Sequence, residues 1–263
     1  MANQTWSTPP MTLKPDVLPE LDRPAAAQQR RWTVLLRWLL IIPHLVVLTV
    51  LGIIGFFVLV LGWFAALVLG RLPGPVARYL AGLLRYQTRV YAYGMLLVDR
   101  YPPFAFDAPE YPVQVELHPA ELNRLAVFFR LILMIPAAIV QSLVTSGWYA
   151  VSFVIWLIAL VLGRMPQPLF ESTAATARFA MRFTAYATML TAGYPKRLFG
   201  DESLAVVERR SASRPLMLSG AAKALVVLFL VLGAVSGAVS STVQTTDNGS
   251  TTNTYAPGYA SRR

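Results

Sequence analysis

The chain has 263 residues, of which 56% are hydrophobic and only 14% charged, and it carries a net charge of +10. A soluble domain usually has about a quarter of its residues charged, so an ordinary water-soluble fold is excluded. With no cysteine, disulfides and thiolate metal sites are excluded too.

The first 17 residues are polar and proline-rich, without the apolar centre of a secretory signal, and read as a flexible N-terminus. A first repeat unit then covers 18–110 and a second 111–200. They are followed by a polar linker (201–215), an apolar helix (216–240) and a disordered, extracytoplasmic tail rich in Ser, Thr and Asn (241–263).

From Val34 to Leu69 the only ionisable residues are Arg37 and His44. From Leu125 to Gly163 the only charged residue is Arg130, and from Leu216 to Val239 only Lys223. Apolar runs of 18 or more residues read as membrane spans. The first two are too long for one span of roughly 20 residues, so each is expected to be a transmembrane helical hairpin. The turns fall at Gly52 and Gly55 in the first run and at Gln141 to Trp148, the one polar patch of the second.

Each run ends alike, in Val68-Leu-Gly-Arg-Leu-Pro73 and in Val161-Leu-Gly-Arg-Met-Pro166. At that same offset of 93 residues Arg37 matches Arg130, Pro43 matches Pro136 and Trp63 matches Trp156. Arg85, Arg89 and Tyr93 match Arg178, Arg182 and Tyr186. Apolar matches come cheaply in such a chain, but Arg, Pro, Trp and Tyr at one constant offset mark a tandem duplication. Tyr111 to Leu117 alternates like a strand.

After each Gly-Arg-x-Pro comes a segment whose basic residues fall in one helical arc: Arg78, Arg85, Arg89 and Tyr93, then Glu171, Arg178, Arg182 and Tyr186. Such helices read as basic amphipathic helices in the membrane interface. Glu171, standing where the first unit has Arg78, is placed to pair with Arg178. The expected fold is therefore an all-α integral membrane protein of two repeats, each a hairpin plus an amphipathic helix, with one extra C-terminal transmembrane helix. Five spans are expected, with the N-terminus inside, the C-terminus outside and a pseudo-two-fold axis along the membrane normal. A re-entrant hairpin that never fully crosses is the alternative.

Arg37, Ile42-Pro43-His44, Gly70 with Pro73, Arg89 with Tyr93, and Asp99-Arg-Tyr-Pro-Pro-Phe104 resemble the bacterial membrane-protein family known as domain of unknown function 4389. The second unit departs from the pattern: His44 becomes Ala137, Asp99-Arg100 becomes Ala192-Gly193, and Pro103 becomes Lys196. The resemblance implies an integral membrane protein, often actinobacterial, and no particular activity.

The strongest chemical signal is arginine. Fifteen or more of the 23 basic residues flank apolar segments on one side. The simplest reading is topology and attraction to anionic headgroups. The sharper one is an anionic-lipid site in which Arg37, Arg71, Arg85, Arg89, Arg130, Arg164, Arg178 and Arg182 ring the pseudo-two-fold axis, since arginine forks grip phosphate. His44, inside an apolar run and beside Pro43, is the intramembrane polar candidate, read first as a neutral imidazole bonding a carbonyl freed by the proline. His118 lies in a polar linker and reads as solvated. Gly233 and Gly237 form a Gly-x-x-x-Gly pair suited to helix packing.

No catalytic constellation, metal site or cofactor motif is recognisable. The expectation is a non-enzymatic accessory or scaffold protein of the bacterial cytoplasmic membrane. It would bind partner membrane proteins, or itself, and anionic lipid headgroups, but not nucleic acid. The alternative is a lipid or small-solute transporter with its site between the repeats.

Overall fold

The computed structural model describes residue 18, 20–22, 26–117, 122–200 and 216–250, with side chains of the last helix described to 238. The N-terminal segment, His118, the 201–215 linker and the tail from 251 lie outside the described residues.

Three helices are long and apolar enough to cross a membrane: Arg31–Leu69, Ile135–Leu162 and Gly220–Ala238. The expected hairpins do not form. The first run is one uninterrupted helix, α1 (Arg31–Leu69), that carries Gly52, Gly55 and Pro43 inside it. Gly55 does not turn the chain. It makes room for α2 (Gly74–Gly94), because a Cβ there would meet Leu83. The second run is read as α3 (Arg124–Phe128), α4 (Arg130–Leu133) and α5 (Ile135–Leu162), with breaks at Phe129 and Met134 rather than in the polar patch. In an apolar setting nothing competes for backbone groups, so a few polar or small residues do not end a helix.

The sharp turn comes where the sequence repeats. Gly70 and Gly163 close α1 and α5 at φ of 70° and 66°, donating their N–H groups to Ala66 and Ala159. A left-handed residue at this place favours glycine. Pro73 and Pro166 then start α2 and α6 (Gln167–Ala187). Both of these helices end in a Schellman turn, in which Leu97 N–H reaches Ala92 O and Leu190 N–H reaches Ala185 O. The left-handed residue there is Leu96 in one unit and Met189 in the other, not glycine. Each side chain is buried, and that burial holds an otherwise unfavourable backbone.

The two units clasp reciprocally. Gln29 N–H donates to Gly163 O, and Leu122 N–H donates to Gly70 O. The Trp156 indole donates to Val34 O at 2.8 Å, and the Trp63 indole to Val127 O at 3.1 Å. Each pair of bonds is related by the 93-residue offset. The start of α1 thus meets the end of α5, and the end of α1 meets the start of α3. The long helices run antiparallel, and the pseudo-two-fold axis crosses them. The alternating segment forms strand β2 (Gln114–Glu116), paired antiparallel with β1 (Glu20–Asp22). Leu21 pairs with Val115 and Asp22 with Gln114, and these two pairs exchange under the offset, so the ribbon sits on the axis.

The last helix, α7 (Gly220–Ser250), packs antiparallel to α5. A Cβ at Gly147 would overlap the backbone of Phe229, and one at Gly233 that of Leu143. Gly233 packs within the chain, whereas a Cβ at Gly237 would meet nothing within 4 Å. Glu171 does the second unit's extra work: its Oε2 accepts from Ser219 N–H and from Ser219 Oγ–H, at the entry to α7. Overpacking a tight backbone crossing costs about 1–3 kcal/mol or more. Gly147→Leu and Gly233→Leu are therefore each expected to lower the Tm of the purified protein by several degrees, while Gly237→Leu leaves it within about a degree.

Candidate functional site

The arginines do not ring the axis. Arg37 and Arg130 lie inside the protein, 3% and 4% exposed. Arg37 donates to Tyr93 O at 2.8 Å and Val98 O at 3.2 Å, and pairs with Asp99 at 3.1 Å. Arg130 donates to Tyr186 O at 2.7 Å and Thr191 O at 2.5 Å. Each guanidinium also lies over the ring of the matched tyrosine, 4.5 Å from Tyr93 and 4.1 Å from Tyr186. The repeated Arg and Tyr thus staple the carboxyl end of α2 or α6 to the start of the long helix. Helix ends carry unsatisfied carbonyls and partial negative charge, and a buried guanidinium with five donors meets both.

The basic arcs of α2 and α6 also turn inward. Arg89 donates to Ala105 O and, at 2.9 Å, to Phe106 O. Arg178 reaches Arg197 O at 2.9 Å and Arg182 reaches Lys196 O at 3.3 Å. In both units the chain folds back after its Tyr-Pro step and lies on the arginines. Arg85 is half-exposed and pairs with Asp107 at 3.0 Å. Arg71 and Arg164 are exposed, but they sit near opposite ends of α1, beside Leu122 and Gln29 respectively. Arginines buried on backbone carbonyls do not face an interface, so the amphipathic helices are part of the protein interior.

His44 is fully buried. Its Nδ1 lies 2.7 Å from the Tyr86 hydroxyl, a side-chain partner rather than a carbonyl freed by Pro43. The ring stacks on Phe104 at 4.0 Å, with Tyr101 at 4.8 Å. It pins the Tyr-Pro-Pro-Phe segment to α1. In the loop beyond, the Tyr111 hydroxyl donates to Arg100 O at 2.8 Å, and burial pushes its pKa up.

A concave site lies between the units, and most of its lining residues were not singled out in the sequence. A cavity of about 320 Å³ is walled by the first half of α1, the end of α2, and the middle of α5 and α6. Its exposed rim includes Trp38, Ile42, Leu45, Tyr91 and Tyr149; Arg37, Trp148 and Thr176 are its buried lining. Gln141, Thr145 and Ser152 follow one face of α5 along its wall. The polar patch expected to be a turn is thus a cavity wall on one side of α5 and, through Gly147, the bed of α7 on another. Two lining residues keep unused hydrogen-bonding capacity: Arg37 Nε and Gln141 Oε1 are buried without a partner. A helical spacing of polar residues within an apolar run was the available signal.

Among the described residues no group of three or more His, Asp or Glu could hold a metal ion. Removing a buried donor from backbone carbonyls costs about 1–3 kcal/mol. Arg37→Gln and Arg130→Gln are expected to lower the Tm by several degrees, and Arg71→Gln and Arg164→Gln to leave it unchanged, when the four variants are melted side by side.

Comparison with curated proteins and with solved structures finds no match. One family matches twice, at residues 31–105 and 124–198, which together span more than half of the chain and coincide with the two units. The chain belongs to the family described as domain of unknown function (DUF4389), in a tandem arrangement.

Proposed function

We propose that the protein is a non-enzymatic, membrane-embedded lipid-binding protein of the bacterial cytoplasmic membrane that holds an amphiphile in the cleft between its repeats. The observation that carries this reading is the cleft itself, with an apolar exposed rim, a largely apolar lining that holds a few polar groups, and walls drawn from both units. Its volume falls at the small end of ordinary ligand sites, about 300–1,000 Å³.

The lining also favours one class of polar group. The Arg37 charge is already met by Asp99, so an added anion would lack a free countercharge. What remains is one N–H donor and one amide oxygen. A hydroxyl or amide can meet either one, and an unmet buried group costs more than a met one gains. The preferred occupant is therefore a lipid with a small uncharged polar group, rather than the anionic headgroup expected from the arginine count.

An accessory role remains as a second reading. It is supported by the open side of Gly237 on α7, where a partner helix could approach closely. In either role the chain contributes binding and not chemistry.

The test is to purify the full chain in native lipid and identify what accompanies it by mass spectrometry. The wild type is expected to retain a neutral lipid at about one per chain. Ala180→Trp and Ser152→Phe, which fill the cleft, are expected to lose at least tenfold of it with Tm maintained. Retention of the same lipid by both filled variants would overturn the reading, as would a purely anionic complement.

A further inference from the structure

We infer that the protein is monotopic: α1 and its counterpart α3–α5 lie along one leaflet of the bilayer, and the pseudo-two-fold axis stands along the membrane normal. The partner surface is thus a single lipid leaflet, and the long helices do not cross it.

Length gives the first argument. At 1.5 Å per residue, the 39 residues of α1 extend about 58 Å. That is about twice the hydrocarbon thickness of a bilayer. Yet from Val34 to Leu69 its only ionisable residues, Arg37 and His44, are both buried. Large apolar side chains are exposed along the whole helix, from Trp32 to Leu69. Beyond Arg31, its first residue, α1 exposes no charge that would mark where a bilayer ends.

The second argument is where the polar groups lie. Gln29 lies at one end of the long helices and Leu122 at the other. The axis that exchanges these two residues runs through the ribbon, so the ribbon sits level with the middle of α1. The same level is marked independently. The Tyr79 hydroxyl donates at 2.9 Å to Leu51 O, in the middle of α1. Phe106 packs edge-on against Tyr79, with ring centroids 5.6 Å apart. The next residue is Asp107, whose side chain is 79% exposed in its pair with Arg85.

Upright long helices would hold the exposed Asp107–Arg85 pair, the ribbon and the irregular backbone from 95 to 113 near the bilayer midplane. Exposed charge and lipid-facing irregular backbone are excluded there. Laid in the plane, the same groups rise together into water, and the apolar flank of α1 and the free faces of α5 and α7 enter the leaflet. The arrangement also resolves the charge pattern. Arg71 and Arg164 lie near opposite ends of α1, yet both reach the same aqueous side, as a positive-inside distribution requires.

The chain has no cysteine, so single cysteines can be placed in the full protein without background. Arg71→Cys, Arg164→Cys and Ala108→Cys, in sealed vesicles of both orientations, are expected to react with a membrane-impermeant maleimide from one and the same side. Nitroxides on Val46→Cys, Ile53→Cys and Val60→Cys, spaced along one face of α1 in liposomes of phosphatidylcholine and phosphatidylglycerol, are expected to report depths within a few ångströms of one another. An upright helix would separate the first and last by about 21 Å. Labelling of Arg71→Cys and Arg164→Cys from opposite sides, or such a depth gradient, would overturn the inference. Neither readout depends on whether the cleft holds a lipid.

Discussion

Everything in this fold hangs on a reciprocal clasp between two copies of one unit. At each end of the molecule, a backbone N–H just before one long helix meets the carbonyl of the glycine that closes the other. Beside it a tryptophan indole holds the first turn of the neighbouring long helix by a backbone carbonyl. Because the clasp is made twice by equivalent residues, it fixes the units as antiparallel partners. A contact of this kind is what two separate copies of a unit would make in a symmetric dimer. Joining them in one chain leaves that geometry intact and frees each copy to change. The central ribbon, the α2–α6 interior and the cleft between units all follow from this placement.

The second constraint is the burial of arginine. In a water-soluble protein the ends of helices are met largely by solvent. Here the ends of α2 and α6 lie against an apolar helix, and their carbonyls need a partner from within. Arg37 and Arg130 supply it, each held flat over a tyrosine. Arg89, Arg178 and Arg182 do the same for the chain that folds back over them. A net charge of +10 therefore overstates the charge presented outward. Much of it organises backbone, and the surface is more neutral than composition implies.

This explains what the sequence could and could not disclose. The duplication was legible because Arg, Pro, Trp and Tyr recur at one offset, and the Gly-Arg-x-Pro turn because glycine at positive φ and proline at a helix start leave plain marks. The alternating Tyr111 to Leu117 segment was legible as a strand. The length of α1 was not: a 39-residue apolar run suggests two short spans only if helices are assumed to stand upright. Gly55 and the Gln141 to Trp148 patch looked like turns because small and polar residues break runs in the abstract. Their actual roles, admitting Leu83, walling a cleft and seating α7, depend on neighbours distant in the chain. Arg37, Arg89, Arg130, Arg178 and Arg182 were found but placed on the wrong side, since periodicity gives a helix face and not what covers it.

The differences between the units carry as much information as their likeness, because positions that change together are in contact. His44 and Phe104 stack in the first unit, and both are replaced in the second, by Ala137 and Arg197. Asp99, which pairs with Arg37, becomes Ala192, and Arg130 holds the matched carbonyls of Tyr186 and Thr191 without a carboxylate at that position. Arg78 becomes Glu171 in the unit that must receive Ser219 and α7. Ile54, exposed in the first unit, becomes Gly147 where Phe229 comes close. The first unit has therefore kept an aromatic lock on its returning loop, and the second has exchanged that lock for a helix. The clasp tolerates both solutions because its own bonds are made by backbone groups and by the shared Trp63 and Trp156. Divergence has accumulated on the flanks and in the cleft, where Gln141, Thr145 and Ser152 stand at the positions that carry Leu48, Gly52 and Leu59 in the first unit, while the symmetric contacts are built from what the two copies still share.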